Sequence, residues 1–371
     1  MRYLHLHIMN CITMITLFFL FSSVYVHAGV VSPSGSRTNA DIRNIRYELE
    51  TNKEVTLVSG GTYYLSTNLH PEDGWTINAD GATIICEKDL INNYPTAVNY
   101  NSLNNFTIRG GTWISPYPDG IMHSFIKLNH AQNLRLYDMT IRAVNCEYHS
   151  IELVACKNAV IHGCNISSLG TLRKTSLEEG IQIDVATPST APHLEARFCN
   201  GAGCQNITID HCTVSGGRAV CCNVLNLEGA AYKKYKKAKN MHSNITVKNC
   251  TLKGITSEGL GVFNTLNAVI KNNKIISHSN RLNDCHSVGC HMALYYKATK
   301  KQSKNSKIVI SGNKIYGGRQ ALYIDAHGLG TYGKVTVKKN TFYCKQGKKK
   351  AFKYNYVKKM VQSKNKMKNW K

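Results

Sequence analysis

The 371-residue sequence predicts an all-β fold: a single-stranded right-handed parallel β-helix with a short N-terminal capping helix. Two observations carry the prediction. The stretch Asn206–Val214 (NITIDHCTV) is rewritten along the chain, closely at Asn158–Ile166 (NAVIHGCNI) and Asn244–Leu252 (NITVKNCTL). Weaker copies stand at Asn105–Trp113, Asn133–Ile141, Asn267–Ile275, Ser306–Ile315 and Lys334–Phe342. Aligned, they share a column of Gly111, Met139, Cys164, Cys212, Cys250, Asn273, Asn313 and Asn340. Neighbours in that column are between 23 residues (Cys250 to Asn273) and 48 residues (Cys164 to Cys212) apart. Each copy reads as alternating strand, polar kink, alternating strand. Such a period with no helix between copies means stacked coils.

The second observation is another alternating strand between the copies. It recurs at Ser150–Val154, Gly180–Asp184, Val224–Glu228, Gly259–Phe263, Ala293–Lys297 and Ala321–Asp325. Apolar residues point inward and polar ones outward, as continuous parallel ladders require. The Cys and Asn column suits one stacked bend, because buried Cys behaves as a small hydrophobe and Asn amides hydrogen-bond from coil to coil. The Asn-x-Ser/Thr sequences at Asn105, Asn165, Asn206, Asn244 and Asn340 belong to this ladder composition and are not read as glycosylation sites.

In chain order, residues 1–28 read as a signal peptide. Arg2 precedes an apolar run from Ile12 to Phe21, and Val26-His27-Ala28 offers a cleavage site. The mature chain is therefore expected to be exported, with no membrane span after cleavage. Asn39–Glu50 follows, with apolar residues at Ile42, Ile45 and Leu49 and possible N-caps at Ser36 and Thr38. A helix there would cover the open end of the solenoid, whose edge would otherwise recruit other chains. The β-helix domain is placed at 29–344. Residues 345–371, with 11 Lys and no acid, are expected to be a Lys-rich tail, either fraying in solvent or holding an anionic cell-wall polymer.

Composition narrows the partners. Without Arg2 the chain keeps 45 Lys and Arg against 22 Asp and Glu, which favours acidic partners. Behind a signal peptide, nucleic acid is a poor candidate; an acidic polysaccharide is the expected partner, and a monomer is expected. Of 14 Cys, 13 remain after loss of Cys11, so at least one thiol stays unpaired. Cys199/Cys204 and Cys285/Cys290 are the best disulfide candidates. Cys285-His286 and Cys290-His291 make up a zinc ligand set by type, but the spacing is uncommon.

The strand ending in Gly61-Thr62-Tyr63-Tyr64-Leu65, followed by Gly81-Ala82-Thr83-Ile84 after a short helix, resembles the opening of pectate-lyase-like β-helix proteins. His149–Leu153 and Glu179–Asp184 also resemble secreted bacterial β-helix proteins. The resemblance covers roughly residues 38–344. It implies a polysaccharide lyase, a polygalacturonase-type hydrolase, a uronate epimerase or a tailspike. The motif sets of the polygalacturonases (Asn-Thr-Asp, Gly-Asp-Asp, Gly-His-Gly, Arg-Ile-Lys) are missing, and so is the epimerase Asp-Pro-His-Glu. Resemblance therefore implies a substrate class and not a mechanism.

The outward positions of the second strand locate the expected chemistry. One column reads Glu152, Gln182, Asn226, Gly261, Tyr295, Tyr323, and the next reads Val154, Asp184, Glu228, Phe263, Lys297, Asp325. Coils stack ~4.8 Å apart and alternate residues on one strand lie ~6.7 Å apart, so Glu152, Asp184 and Glu228 crowd one patch. Long connections after Asp184 and Glu228 wall that face into a cleft. Three close carboxylates either hold a proton on one of them or share a Ca²⁺, and Lys297 is a base candidate. Expected substrate contacts are Gln182, Asn226, Tyr295, Tyr323, Asp325 and His149, with Tyr232 and Tyr235 from the loop wall; His327 borders the same cleft. The favoured reading is an exported lyase cleaving a uronate-containing glycan by β-elimination. The alternatives are a glycoside hydrolase using paired carboxylates and a glycan-binding or adhesin-like solenoid.

Overall fold

The computed structural model describes residues 29–86, 91–92, 103–115, 122–143, 146–168, 179–222 and 241–371. The expected signal segment and the candidates Asn226, Glu228, Tyr232 and Tyr235 lie outside these residues. Three all-parallel sheets run the length of the molecule, with 12, 11 and 9 strands among the described residues. Each repeat copy bends between two of them. Gln205–Asp210 lies in the first sheet and Thr213–Gly216 in the second. The other recurring strand forms the third sheet, so one coil visits first, second and third sheet in turn.

The core is built from side chains in register. One inward column of the first sheet pairs Ile108, Leu136, Ile161, Ile209, Val247 and Ile270 coil to coil, and all are buried. Each such side chain contributes roughly 1.5–3 kcal/mol by leaving water. Both corners of the repeat are set by left-handed residues. Asn133, Asn158, Asn206 and Asn244 open their copies at φ 54–56°. Their amides hydrogen-bond in an exposed file, Asn244 to Asn206 to Asn158 to Asn133. Asn tolerates this conformation because its short amide serves local hydrogen bonds.

At the next corner a second left-handed residue (Asp138, Gly163, His211, Asn249, Asn272, Gly312, Lys339) precedes the buried column. The column then satisfies the backbone of its neighbour. The N–H of Cys250 donates to Asn273 Oδ1 at 2.9 Å, that of Asn273 to Asn313 at 2.9 Å, and that of Asn313 to Asn340 at 2.9 Å. Cys212 N–H donates to Cys250 Sγ at 3.4 Å, so thiols take over where the asparagines stop.

The capping helix spans Ala40–Asn52 and buries Ile42, Ile45 and Leu49 on the first coil. Its fixing point is Asp41, which accepts the N–H groups of Ser34 at 2.7 Å and Tyr64 at 2.8 Å. Its N-cap is Asn39, one residue later than the expected Thr38.

Residues 345–371, expected as a tail, form another coil. Phe352–Asn355, Val357–Ser363 and Lys366–Asn369 add one strand to each sheet. Asn365 continues the buried ladder by accepting Asn340 N–H at 3.1 Å, after Lys364 in the left-handed conformation. Lysine at outward positions does not oppose a strand, and Ala351 and Phe352 supply the inward contacts. The expected disulfides are not formed. Cys204 lies in the main core and Cys199 in a separate cluster outside the third sheet, so the sheet separates them. Cys290 is likewise in the core, whereas Cys285 is partly exposed beside Arg319.

The ladder and the last coil can each be tested. Truncation after Cys344 should lower the thermal midpoint by roughly 5 °C or more, because it strips the ladder end and uncovers Phe342; an unchanged midpoint would make the last coil an ornament. Cys250→Asn should stay within about 1 kcal/mol of wild type in urea unfolding, since an amide can accept Cys212 N–H and donate to Ile209 O in the thiol's place. Cys212→Asp should cost about 3 kcal/mol or more, because it buries a charge against unpaired backbone.

Candidate active face

The outward face of the third sheet holds most of the described candidate residues, and its register corrects the expected columns. The first column runs Lys127, Glu152, Gln182, Cys221, Gly261, His291, Tyr323, Lys353. The strand preceding Gly261 is Arg218–Cys222, where Val224–Glu228 had been expected. Likewise Cys290–Ala293 takes the place of Ala293–Lys297. Both segments alternate equally well; ion pairs between coils decide the register.

Those pairs are buried. Arg218 reaches Glu179 on the coil before at 3.1 Å and Glu258 at 2.8 Å. Glu258 also faces His291 Nδ1 at 3.1 Å, and His149 Nδ1 stands 2.9 Å from Glu179. A further pair joins Lys127 to Glu152 at 2.8 Å, and the same ammonium donates to Thr190 O at 2.7 Å, fastening the loop after Asp184 over the strand. Sequence reading missed Lys127, Arg218 and Glu258, met Glu179 only as the start of a motif, and met His291 only as a possible zinc ligand. The one signal available for them was alternation of charge sign between neighbouring coils, legible only once the register is known.

Glu152 and Asp184 do come together with His149. One ligand-type atom from each lies within 4.8 Å of the others, and Glu152 and Asp184 are only 3% and 2% exposed. Burial, then the charge of Glu152, raises the Asp184 pKa well above the usual carboxylate range. Burial acts the same way on Glu152, but Lys127, His149 and the Ser124 hydroxyl outweigh it and the pKa is lowered. For His149, burial opposes the charge while the hydrogen bond to Glu179 and three nearby carboxylates prevail, so its pKa is raised. Burial and charge thus push the two carboxyls apart, Asp184 toward keeping its proton and Glu152 toward ionisation. Gln182 donates to Asp184 at 3.1 Å.

Calcium fits the described donors poorly. Ca²⁺ takes 6–8 oxygen ligands; here two carboxyl groups and an imidazole converge, and one carboxylate already holds Lys127. The cysteine–histidine loop does not converge on a zinc site either: Cys290 faces the core, while His286 pairs with Asp284 at 3.0 Å.

Further along the face, Tyr323 donates to Asp325 at 2.5 Å and Asn355 donates to it at 2.9 Å. His327 Nδ1 stands 3.8 Å from the same carboxylate. Asp325, His327, Asn355 and Tyr356 line an open cavity of about 580 Å³. Burial and Asp325 push the Tyr323 hydroxyl up to about 12. The ring of Tyr295 packs on Phe263 and His327 at 5.5 and 5.2 Å, from the turn after the strand instead of the column. Lys297 is exposed in that turn and off the column, so it does not join Asp184. This open mouth and the covered acid pair lie on one face.

No protein-family model and no curated protein matches the chain. Solved structures do. PfbA, a surface adhesin of Streptococcus pneumoniae, superposes with TM-score 0.56 at 13% identity, covering 92% of this chain and 93% of that one. A second PfbA structure gives TM-score 0.52 at 13% identity over 93% and 98%. The fold is the pectate-lyase-like right-handed parallel β-helix. An alginate lyase from Paenibacillus sp. str. FPU-7 superposes more loosely, with TM-score 0.43 at 13% identity over 84% and 91%. At this identity the β-helix likeness extends to the fold alone.

Asp184 and Glu258, shifted in opposite directions, predict opposite pH signatures. Asp184 has its folded pKa raised above the ordinary 3.8, so its contribution to stability is present below that value and lost as pH rises through the folded pKa. Asp184→Asn should therefore gain on wild type in thermal midpoint as pH rises above the ordinary carboxylate value. Glu258, held low by Arg218 and His291 against its burial, stabilises above the ordinary 4.5 and loses that contribution as pH falls. Glu258→Gln should be costly at neutral pH and nearly neutral in acid; parallel curves for both variants would contradict the assignment.

Proposed function

We propose that this protein is an exported enzyme that cleaves a uronate-containing polysaccharide laid along the outer face of the third sheet. The observation that carries the reading is the contact between Glu152 and Asp184 on neighbouring coils with the proton held on Asp184. A carboxyl whose pKa is raised by burial and by Glu152 can protonate a leaving glycosidic oxygen, which both elimination and hydrolysis need. The separation favours elimination. The two carboxyl groups stand closer than the ~5–5.5 Å a retaining hydrolase uses for its nucleophile and acid, and far closer than an inverting pair. In elimination Glu152, the ionised member, would take the C5 proton of the uronate while Asp184 gives its proton to the leaving oxygen as the C4–O bond breaks and the C4=C5 bond forms. The open cavity at Asp325, His327 and Tyr356 is where a chain would enter the face.

A second reading, glycan binding without turnover, is favoured by the near-complete burial of both carboxyls under the loop that Lys127 fastens. The experiment is a panel of acidic polysaccharides followed by reducing-end release and by absorbance of unsaturated uronate. Elimination gives both signals, hydrolysis gives reducing ends alone, and pure binding gives neither while the polymer is still retained. Asp184→Asn and Glu152→Gln should each lower turnover at least about 100-fold with the circular dichroism unchanged. Because the described donors suit calcium poorly, chelation should leave the rate within about twofold.

A further inference from the structure

The net charge of the chain is confined to one end. Residues 1–240 hold 20 Lys and Arg against 19 Asp and Glu, whereas residues 241–371 hold 26 against 3. Those three acids do not offset the lysines at the surface. Glu258 and Asp325 are buried on the third sheet, and Asp284 pairs with Arg281 at 2.8 Å. The coils convert this excess into a line. At the corner between the first and second sheets stand Lys338, Lys339 and Lys364 on one side and Lys274, Lys314 and Lys366 on the other, all exposed. Among the described residues none of the six has an ion pair. Like charges on neighbouring strands repel, so an unneutralised ridge across several coils is a standing cost that an anionic ligand would remove. Edge protection does not account for it, since Lys274 and Lys314 lie coils inside the end.

Next to the ridge runs an aromatic strip. Tyr316 and Tyr343 stack at 4.2 Å with 4° between their planes, and Trp370 meets Tyr316 edge-on at 5.6 Å. Lys345 lies over Trp370 at 4.9 Å and Lys368 over Tyr343 at 5.7 Å. Since the tyrosines spend their facing sides on each other, they present ring edges and hydroxyls outward. That suits a hydroxyl-rich polymer and gives no slot for a nucleic-acid base.

We propose that this corner is a second polysaccharide site, which holds a linear polyanionic glycan along the coil axis on a face separate from the third sheet. Coils rise ~4.8 Å, comparable to one extended pyranose unit, so a glycan along the axis can set its carboxylates against Lys274, Lys314 and Lys366, with Lys338 and Lys339 flanking the coil whose column position is Thr341. The site is independent of whether the third sheet cleaves, binds or does neither.

The full chain is titrated with polygalacturonate at about 50 mM and about 200 mM salt, alongside two variants of equal charge. K314Q/K338Q/K339Q/K366Q should bind at least about tenfold more weakly with a shallower salt dependence. K300Q/K301Q/K304Q/K307Q, away from this corner, should change affinity by less than about threefold. Cleavage or binding of short oligosaccharides at the third sheet should be the same in both. Equal losses in the two variants would overturn the proposal in favour of undirected charge. Displacement by single-stranded DNA as effective as by polygalacturonate would overturn the glycan assignment. Lys→Arg at the same four positions, which keeps the charge, should restore binding; failure to do so would also count against the ridge.

Discussion

Every part of this molecule depends on how a tight corner in a parallel stack satisfies its buried backbone. A coil that turns between two sheets must bend within two residues, which takes one residue into the left-handed region and leaves the next N–H facing the interior. An unpaired buried amide costs about as much as a lost hydrogen bond. The chain meets this by giving each corner a small side chain that accepts the N–H of the coil before it, amide where Asn273, Asn313 and Asn340 stack and thiol where Cys250 and Cys212 do. Because each corner is bonded to the next, the register of the first and second sheets cannot slip, and the third sheet inherits it.

That inherited register has a consequence for the reactive face. In a half-exposed sheet a one-residue slip already buries the polar set and exposes the apolar one, and here much of the outer face of the third sheet is covered as well. Charges are admitted to it only as partners across coils, with Arg218 between Glu179 and Glu258, Lys127 on Glu152, and His149 and His291 at the margins. Breaking any such pair would strand a buried charge. Asp184 has no cation of its own within this chain of pairs, so it keeps its proton. The acidity needed for chemistry and the neutrality needed for burial are the same property of one carboxyl group.

The two ends of the solenoid treat charge differently. At the N-terminal end the helix Ala40–Asn52 covers the stack with apolar contacts and the buried Asp41. At the other end the stack simply continues with lysines outward, and the surface there is cationic without counter-charges of its own.

By itself the sequence determined the repeat, the fold class, the capping helix and the corner column, because each follows from local pattern: period two in the strands, a left-handed Asn or Gly, and a small buried residue after it. It also brought Glu152 and Asp184 into one patch, with Glu228 beside them and His149 at the border, and Tyr323 near Asp325, since the described members lie on strands whose spacing from the corners is short and regular; that His149 closes on the two carboxyls was legible only in the structure. What it could not determine was which of two equally alternating segments joins the third sheet. Val224–Glu228 and Arg218–Cys222 both fit the pattern, as do Ala293–Lys297 and Cys290–Ala293. Only the tertiary structure decides, because the deciding energy is between coils: Arg218 meeting Glu179 and Glu258, and His291 meeting Glu258, across residues 33 to 40 positions apart. The final coil was hidden for a related reason. Its lysines read as a tail by composition, while Phe352 and Asn365, which fasten it, acquire meaning only against the coil beneath.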